Sequence, residues 1–248
     1  EKFGSNSTIR SKISINNKRI SIKRADHVIC ISENTRKDLI DILGISASKT
    51  SIVHLGSELS GEIPTIHPFA GEKNFCKYIL YVGGRTGYKN FNLLLESLTT
   101  NKLVKDNYTL VAFGGGSFSE SENMQLKKMK IKALQLSGTD QMLLSLYKYA
   151  SLFVYPSMYE GFGIPPLEAM RLGCPVVCSN TSSIPEVVGD AGQYFENNNP
   201  ESLMRAINLV LESDDVKSCI LACRNLGVKI KRIKSKCYMI YGKGLGSF

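Results

Sequence analysis

The chain has 248 residues, of which 43% are hydrophobic, and it carries a formal net charge of +9. This length and this apolar share are enough for the core of one large domain, or of one domain and part of a second. No apolar run approaches the roughly 18 residues that a membrane-spanning helix needs, so none is predicted.

The positive charge is concentrated near the two ends of the chain, in residues 1–24 and 229–236. Such basic segments attract nucleic acid, anionic lipid or phosphorylated ligands, or they form an ordinary solvated surface. Neither segment alternates basic with aromatic residues as a base-stacking platform does, so nucleic acid is the least favoured partner. We predict that the basic start of the chain contacts an anionic membrane surface at its periphery.

The seven cysteines are scattered through apolar segments. An odd number in this pattern predicts buried thiols in a reducing compartment, and hence a cytoplasmic protein. Cys174 and Cys178 have the spacing of a zinc pair. In a strand that spacing corresponds to roughly 13 Å, which is too far for two thiolates that each bind one ion at about 2.3 Å. We therefore predict no metal site.

The first predicted elements are an apolar run at 27–31, a helix over 32–44 and a short strand at 50–54. Ser32 is a suitable cap for the start of the helix, and Gly44 is a suitable end. His27 adjoins the apolar run and is predicted to lie in the core. Residues 56–77 are rich in turn formers and lack periodicity, which predicts a linker.

From residue 78 onward, strands alternate with helices. Strands are predicted at about 78–82, 108–113, 134–136, 151–155, 175–178 and 193–195, and helices at about 91–100, 121–133, 141–149, 166–172 and 200–212. This alternation predicts an α/β fold, a doubly wound parallel sheet with helices on both faces. Ligands of such sheets bind beyond the carboxyl ends of the strands, which directs attention to loops 83–90, 114–120 and 156–165.

Loop 83–90 contains two basic residues next to glycines. Arg85 offers a fork of donors and Lys89 a compact charge, and together they are able to neutralise a diphosphate. The alternative is a plain strand-to-helix turn with two solvated cations.

Loop 156–165 places Glu160 and Glu168 on opposite sides of a glycine- and proline-containing turn. A turn that delivers a helix N-terminus presents unpaired N–H groups to a phosphate. The two carboxylates suit a ligand that also carries hydroxyls, such as a nucleotide sugar. A glycosidase-like acid and base pair is one alternative, and simple stabilisation of the helix dipole is the alternative for Glu168.

Loop 114–119 nearly matches the dinucleotide-binding fingerprint, except that Ser119 replaces its third glycine. The fingerprint also belongs after the first strand of its domain, whereas this loop follows the second. A nicotinamide-dependent oxidoreductase is therefore a weaker alternative.

The segment from Glu160 to Glu168 resembles the Glu-x7-Glu motif of family 4 retaining glycosyltransferases, whose fold is called GT-B. The sequences of segments 81–90, 153–157 and 174–190 also resemble this family, so the resemblance covers roughly residues 25–212. It implies two Rossmann-like domains. Residues 61–230 resemble the domain that binds the nucleotide sugar, 1–60 the last part of the acceptor-binding domain with the hinge, and 231–248 form a weakly patterned C-terminal segment.

The resemblance also implies a role for each candidate residue. Arg85 and Lys89 would hold the donor diphosphate and the developing leaving-group charge, which replaces the electrostatic work of a metal. Glu168 would accept hydrogen bonds from the ribose, and Glu160 would lie near the sugar as a catalytic residue. The implied donor-binding residues are Gly84, Arg85, Lys89, Glu160, Gly161, Phe162, Gly163, Ile164 and Glu168, with no metal or other cofactor.

The implied activity is metal-independent transfer of a hexose, with retention, to a lipid-linked or growing glycan acceptor. Segments 78–89 and 113–119 are similar to bacterial surface-polysaccharide mannosyltransferases, which favours GDP-mannose as donor and lipopolysaccharide synthesis at the inner face of the membrane. The glycine-rich loop and the histidine of the family's first domain are absent from this chain. We therefore expect donor binding but poor transfer by this chain alone, and a nucleotide-binding module without turnover is the second hypothesis.

Overall fold

The computed structural model describes residues 9–56, 61–62, 64–71 and 77–213. The chain divides into two compact units, Glu1–Leu55 and Gly56–Phe248. The predicted domain boundary after residue 60 stays a prediction, and the one after residue 230 lies outside the described residues, as does segment 231–248. In the described ranges, no helix is both long and apolar enough to cross a membrane.

The first unit contains α1 (Ile9–Arg24), β1 (Val28–Cys30), α2 (Glu33–Leu43) and β2 (Thr50–Ile52). β1 and β2 pair in parallel. The predicted caps of α2 are present, because the Ser32 hydroxyl accepts a hydrogen bond from the N–H of Thr35 and Gly44 adopts a φ of 66°. The predicted position of His27 in the core is wrong, because this side chain is exposed and its Nε2 lies 2.8 Å from the Ser51 hydroxyl. The adjoining strand β1 buries only Cys30.

The second unit alternates strands and helices: β3 (Tyr78–Val82), α3 (Phe91–Thr99), α4 (Lys102–Asn107), β4 (Thr109–Phe113), α5 (Glu120–Met129), β5 (Ala133–Leu136), α6 (Asp140–Tyr149), β6 (Leu152–Tyr155), α7 (Ile164–Arg171), β7 (Val176–Ser179), α8 (Ile184–Val188), β8 (Gln193–Phe195) and α9 (Pro200–Glu212). The six strands are all parallel, in the order β5-β4-β3-β6-β7-β8. The predicted α/β fold with a parallel sheet is confirmed.

Both faces of this sheet are covered by helices. Ile79 and Tyr81 of β3 belong to a buried cluster that includes apolar residues of α3, α5 and α9. The alternate residue Tyr78 points to the other face, where its hydroxyl donates to the Leu146 carbonyl of α6 at 2.7 Å. Since side chains alternate along a strand, full burial of both sets explains the continuous apolar strands. Each buried large apolar side chain contributes about 1.5–3 kcal/mol.

The strand order reverses between β3 and β6. From β3 the chain proceeds outward to β4 and β5, and then returns past β3 to β6 and onward to β7 and β8. At such a reversal the connections leave in opposite directions and open a crevice at the carboxyl ends of the strands. Loops 83–90 and 156–163 follow these two strands, and the N–H of Met158 donates to the carbonyl of Tyr88 at 2.7 Å. The topology therefore brings the two predicted loops together.

Candidate functional site

The loop after β3 turns sharply away from the sheet and then returns toward β6. Gly83 adopts a φ of 116°, and the hydroxyl of Tyr81 donates to the carbonyl of Gly84. A 3₁₀ turn, Gly87–Lys89, follows. It delivers the ammonium of Lys89 to the crevice between the two strands.

Lys89 and Glu160 form an ion pair in this crevice. The Lys89 Nζ lies 2.8 Å from the Glu160 Oε1, and the two side chains are 21% and 12% exposed. The same ammonium lies 3.5 Å from the hydroxyl of Tyr155 and over the rings of Tyr88 and Tyr155, at 5.3 and 5.4 Å. Two of the predicted catalytic residues are thus in contact.

Tyr155, the last residue of β6, forms the floor beneath this ion pair. Its side chain is 1% exposed, and burial, followed by the nearby charge of Glu160, raises the pKa of the phenol far above its usual value. The phenol therefore keeps its proton at neutral pH, and offers an uncharged hydroxyl next to Lys89.

Two serines from the loop after β7 hold the segment that follows Glu160. The Ser182 hydroxyl accepts from the Glu160 N–H at 3.1 Å and donates to the Glu160 carbonyl. The Ser183 hydroxyl donates to the carbonyls of Glu160 and Phe162, at 2.9 and 2.8 Å. These bonds satisfy the backbone on one side of the turn and set the direction of the Glu160 side chain.

The turn ends in α7, which carries Glu168. Gly163 precedes the helix with a φ of 106°, and prolines occupy two positions of the first turn. Because proline has no N–H, the first turn offers fewer donors to a phosphate than an ordinary helix start. The Ile164 N–H remains as a donor at this end, and Gly163 itself presents its N–H just before the helix.

Glu168 is held by a tyrosine of the neighbouring helix. The hydroxyl of Tyr147 donates to the Glu168 Oε2 at 3.2 Å. Burial raises the pKa of Glu168 above its ordinary value, and the bond from Tyr147 and the charge of Arg171 partly oppose the shift. Glu168 is therefore a partly desolvated acceptor, and its raised pKa means that it takes up a proton at a higher pH than an ordinary carboxyl group does.

Arg85 lies away from this group and is buried, with a side-chain exposure of 4%. Its Nε and one terminal nitrogen donate to the Glu122 carboxylate at 2.7 and 3.3 Å. Its remaining N–H groups donate to the carbonyls of Gly114, Gly116 and Ser117, at 3.1, 3.0 and 2.7 Å. The structure thus brings Lys89 and Glu160 together but places the guanidinium of Arg85 in the loop after β4. Direct contact of Arg85 with a diphosphate stays a prediction.

A cavity of about 510 Å³ lies between segment 84–92, which includes the start of α3, and segment 115–125, which includes the start of α5; Arg85 and Glu122 lie in its wall. At its edge, the first turn of α5 is already capped by protein groups, because the Ser119 N–H donates to Glu122 at 2.7 Å. A dinucleotide phosphate at this helix would meet the Glu122 carboxylate, which does not favour the nicotinamide alternative.

Tyr147, Tyr155, Ser182 and Ser183 were not among the predicted site residues. Tyr155 and the serines share one signal, since each lies at or just after the carboxyl end of a central strand. Tyr147 carries no such signal, because its role depends on the packing of α6 against α7.

The cysteines and carboxylates of the described residues show no metal cluster. No group of three His, Cys, Asp or Glu side chains in those ranges lies together as a metal site requires. Cys174 and Cys178 are buried, and burial raises the pKa of both thiols. They are therefore inert core residues at neutral pH.

The parallel sheet, its strand-order reversal and the charged crevice at the carboxyl ends of its strands are features of a Rossmann-like α/β unit. Residues 62–222 match the family model described as "Glycosyl transferases group 1". The chain belongs to this family, and the predicted resemblance is confirmed.

Curated relatives include two bacterial enzymes. The chain is 38% identical over 142 residues to O-antigen chain mannosyltransferase B of Escherichia coli, which covers 55% of this chain and 37% of that one. It is 26% identical over 205 residues to O-antigen chain mannosyltransferase RfbU of Salmonella typhimurium, with 81% and 55% covered. The chain thus spans less than two thirds of the length of these relatives.

Solved structures share the fold. A sucrose-phosphate synthase of Thermosynechococcus elongatus matches with a TM-score of 0.78 and 18% identity over 98% of this chain and 64% of that one. WaaG, a glycosyltransferase involved in lipopolysaccharide biosynthesis, matches with a TM-score of 0.74 and 18% identity, covering 98% and 74%.

Proposed function

We propose that the second unit of this chain binds a nucleoside diphosphate sugar, and that the whole protein transfers the hexose to a lipid-linked or growing glycan acceptor. The observation that supports this most is the Lys89–Glu160 pair at the strand-order reversal, at 2.8 Å. A cation and a carboxylate that neutralise each other there are able to separate around a ligand that carries both a diphosphate and sugar hydroxyls.

In this proposal Lys89 and Glu160 contact different parts of the donor. The Lys89 ammonium binds the diphosphate and stabilises the negative charge that grows on the leaving nucleoside diphosphate. Glu160 accepts hydrogen bonds from the sugar hydroxyls, or stabilises positive charge at the anomeric carbon. The uncharged hydroxyl of Tyr155 holds the Lys89 ammonium in position.

Glu168 and the start of α7 bind the remaining parts of the donor. The Glu168 carboxylate accepts from the ribose hydroxyls, and the N–H groups of Gly163 and Ile164 face the sugar or the distal phosphate. Gly84, Gly161 and Phe162 complete the proposed donor-binding set. The proposed reaction proceeds with retention and without a metal, since Lys89 supplies the positive charge that a cation would bring.

We favour GDP-mannose as donor because both curated relatives described above are named mannosyltransferases of O-antigen chains. Their names also support an acceptor in a surface polysaccharide. A basic end of α1, Lys23 and Arg24, suits peripheral contact with an anionic membrane at the cytoplasmic face. Sedimentation with vesicles of phosphatidylglycerol at low salt tests this contact, and failure to co-sediment would remove it.

A second candidate follows from the coverage. The chain spans 37% and 55% of the two relatives, so a donor-binding module that does not turn over by itself is consistent with the same site. Transfer from GDP-mannose to a lipid-linked acceptor, measured beside nucleotide binding, separates the two candidates. Binding without transfer in the full-length natural chain would favour the module.

The proposed function is tested by calorimetric titration of the chain with GDP, UDP, ADP and NAD, with and without EDTA. We expect micromolar binding of one diphosphate, strongly weakened in Lys89→Met and in Glu168→Ala. Loss of binding on addition of EDTA would contradict metal independence. Binding of NAD alone would contradict the proposed function.

A further inference from the structure

Arg85 has no free N–H donor. A guanidinium carries five N–H groups, and here two point to the Glu122 carboxylate and three to the carbonyls of Gly114, Gly116 and Ser117. Its positive charge also lies 4.9 Å from the centre of the Phe118 ring. The hydrogen bonds of the guanidinium are thus all made with the loop after β4 or with the first turn of α5.

The backbone that Arg85 holds has a shape that favours glycine. Gly114, Gly115 and Gly116 all adopt positive φ, at 82°, 71° and 75°. A Cβ on Gly115 would lie 2.8 Å from the carbonyl oxygen of Gly83. Three carbonyls that converge on one point repel each other unless a cation lies there, so the guanidinium and the tight loop require each other.

A diphosphate could reach this guanidinium only by replacing protein partners. Glu122, with a side-chain exposure of 15%, would then lose the cation that balances it. Partial burial alone would raise the pKa of Glu122, but the hydrogen bonds from Arg85 and Ser119 hold it below its ordinary value. Separating the pair leaves an uncompensated carboxylate in a poorly solvated position, which is unfavourable.

We propose that Arg85 is a positioning residue, which joins loop 83–90 to loop 114–117 through Glu122, and that it does not contact the donor diphosphate. This inference rests on the proposed function. We call the contacts of Arg85 with Glu122 and with the three carbonyls the Arg85 clamp. By fixing the chain at Arg85, this clamp determines the position of the ammonium of Lys89, four residues further on.

The two possible roles of Arg85, diphosphate contact and positioning of Lys89, predict opposite effects of Glu122→Gln on GDP binding. If Arg85 bound the diphosphate, Glu122→Gln would free the guanidinium and leave GDP binding unchanged or tighter. If the Arg85 clamp positions Lys89, the same change weakens GDP binding about tenfold, because the ion pair with Glu122 is replaced by a weaker hydrogen bond from the guanidinium to an uncharged amide oxygen. Ser119→Ala is the matched control, because it removes the cap of α5 while it retains the Glu122 carboxylate.

Arg85→Lys gives a second, independent discrimination. Lysine is a good phosphate ligand, so it would largely preserve GDP binding if residue 85 touched the diphosphate. It has three donors on a single nitrogen and cannot replace the five-donor fork. We therefore expect Arg85→Lys to be as weak as Arg85→Gln, and the double variant with Glu122→Gln to be little weaker than either single variant.

The experiment combines GDP titration of these variants with hydrogen exchange of the ligand-free proteins. The expected result is non-additive weakening of GDP binding, with faster amide exchange in both 83–90 and 114–117 for Glu122→Gln and not for Ser119→Ala. Unchanged exchange in 83–90, GDP affinity that survives in Glu122→Gln, or rescue by Arg85→Lys would each overturn the inference. If the unaltered chain binds no diphosphate, the proposed function fails, whereas exchange in 83–90 still decides the clamp.

Discussion

The Lys89–Glu160 pair should show a measurable coupling in the ligand-free protein. We consider Lys89→Met, Glu160→Gln and the double variant, compared by chemical denaturation. The side chains are 21% and 12% exposed and meet at 2.8 Å. Exposed pairs contribute roughly 0.2–1 kcal/mol, and breaking a fully buried pair costs about 3–5 kcal/mol. For this intermediate burial we expect a coupling of about 1–2 kcal/mol.

The same variants separate the two roles of the pair on ligand binding. Glu160→Gln should leave GDP binding unchanged or tighter, because Lys89 loses its protein partner, and should weaken GDP-mannose relative to GDP. Lys89→Met should weaken both ligands. The chain contains no tryptophan, so far-UV circular dichroism is the suitable probe of unfolding, with calorimetry for binding. A coupling indistinguishable from zero, or equal weakening of GDP and GDP-mannose in Glu160→Gln, would refute this reasoning.

Three further predictions concern the residues around the pair. Tyr147→Phe removes a hydrogen bond that partly offsets the raised pKa of Glu168, so this pKa rises further. Because GDP binding needs the carboxylate, titrations from neutral to acid pH should show GDP binding lost at a higher pH than in the unaltered protein. The control Tyr149→Phe should not shift this loss. Gly163→Ala should cost about 1–2 kcal/mol of unfolding free energy, since its φ of 106° is unfavourable for any side chain. Ser183→Ala removes two bonds to loop carbonyls and should weaken GDP-mannose about tenfold.

Matched controls isolate these effects. Gly84→Ala changes a glycine of ordinary φ that has nothing near the added carbon, so its unfolding free energy should stay within about 0.5 kcal/mol. Ser97→Ala removes a buried hydroxyl bonded to the Leu94 carbonyl within α3. No proposed donor contact involves this hydroxyl, so the variant should leave GDP-mannose affinity intact. A control that matches its test variant would contradict the corresponding prediction.

The strands were predictable because local pattern and burial agree. Each of the six strands of the second unit lies within one residue of its predicted ends, since an apolar run bounded by turn formers has few other ways to bury itself between helices. The helix predicted to end at 133 ends instead at Met129, because Lys130 adopts a φ of 55° and the chain must enter β5 at Ala133. Such a left-handed stop on lysine leaves no signal in the sequence.

Short helices escaped prediction for a related reason. α4 has six residues and α8 has five, too few for a periodic apolar face to be visible. α1 has an even mixture of isoleucine, basic and polar residues, which obscures the period. For α4, the cap supplied by Asn101, whose side-chain oxygen accepts from the Val104 N–H at 3.2 Å, adds stability that propensity does not provide.

The candidate site was predictable as a set of loops but not as a set of contacts. Parallel topology places every strand-following loop at one edge of the sheet, so the loops that carry Lys89 and Glu160 were expected at the same edge although 71 residues separate the two side chains. The partner of Arg85 was not predictable, because Glu122 reads locally as a helix-capping residue. Only the packing of α5 against the sheet shows that this carboxylate also balances a buried guanidinium.

The most direct test of the account is a crystal structure of the protein with GDP-mannose. We expect the diphosphate within hydrogen-bonding distance of the Lys89 ammonium, the ribose hydroxyls on Glu168 and the mannose beside Glu160, with the Arg85 clamp intact. Nucleotide bound in the cavity between 84–92 and 115–125, or a diphosphate that has drawn Arg85 away from Glu122, would contradict it.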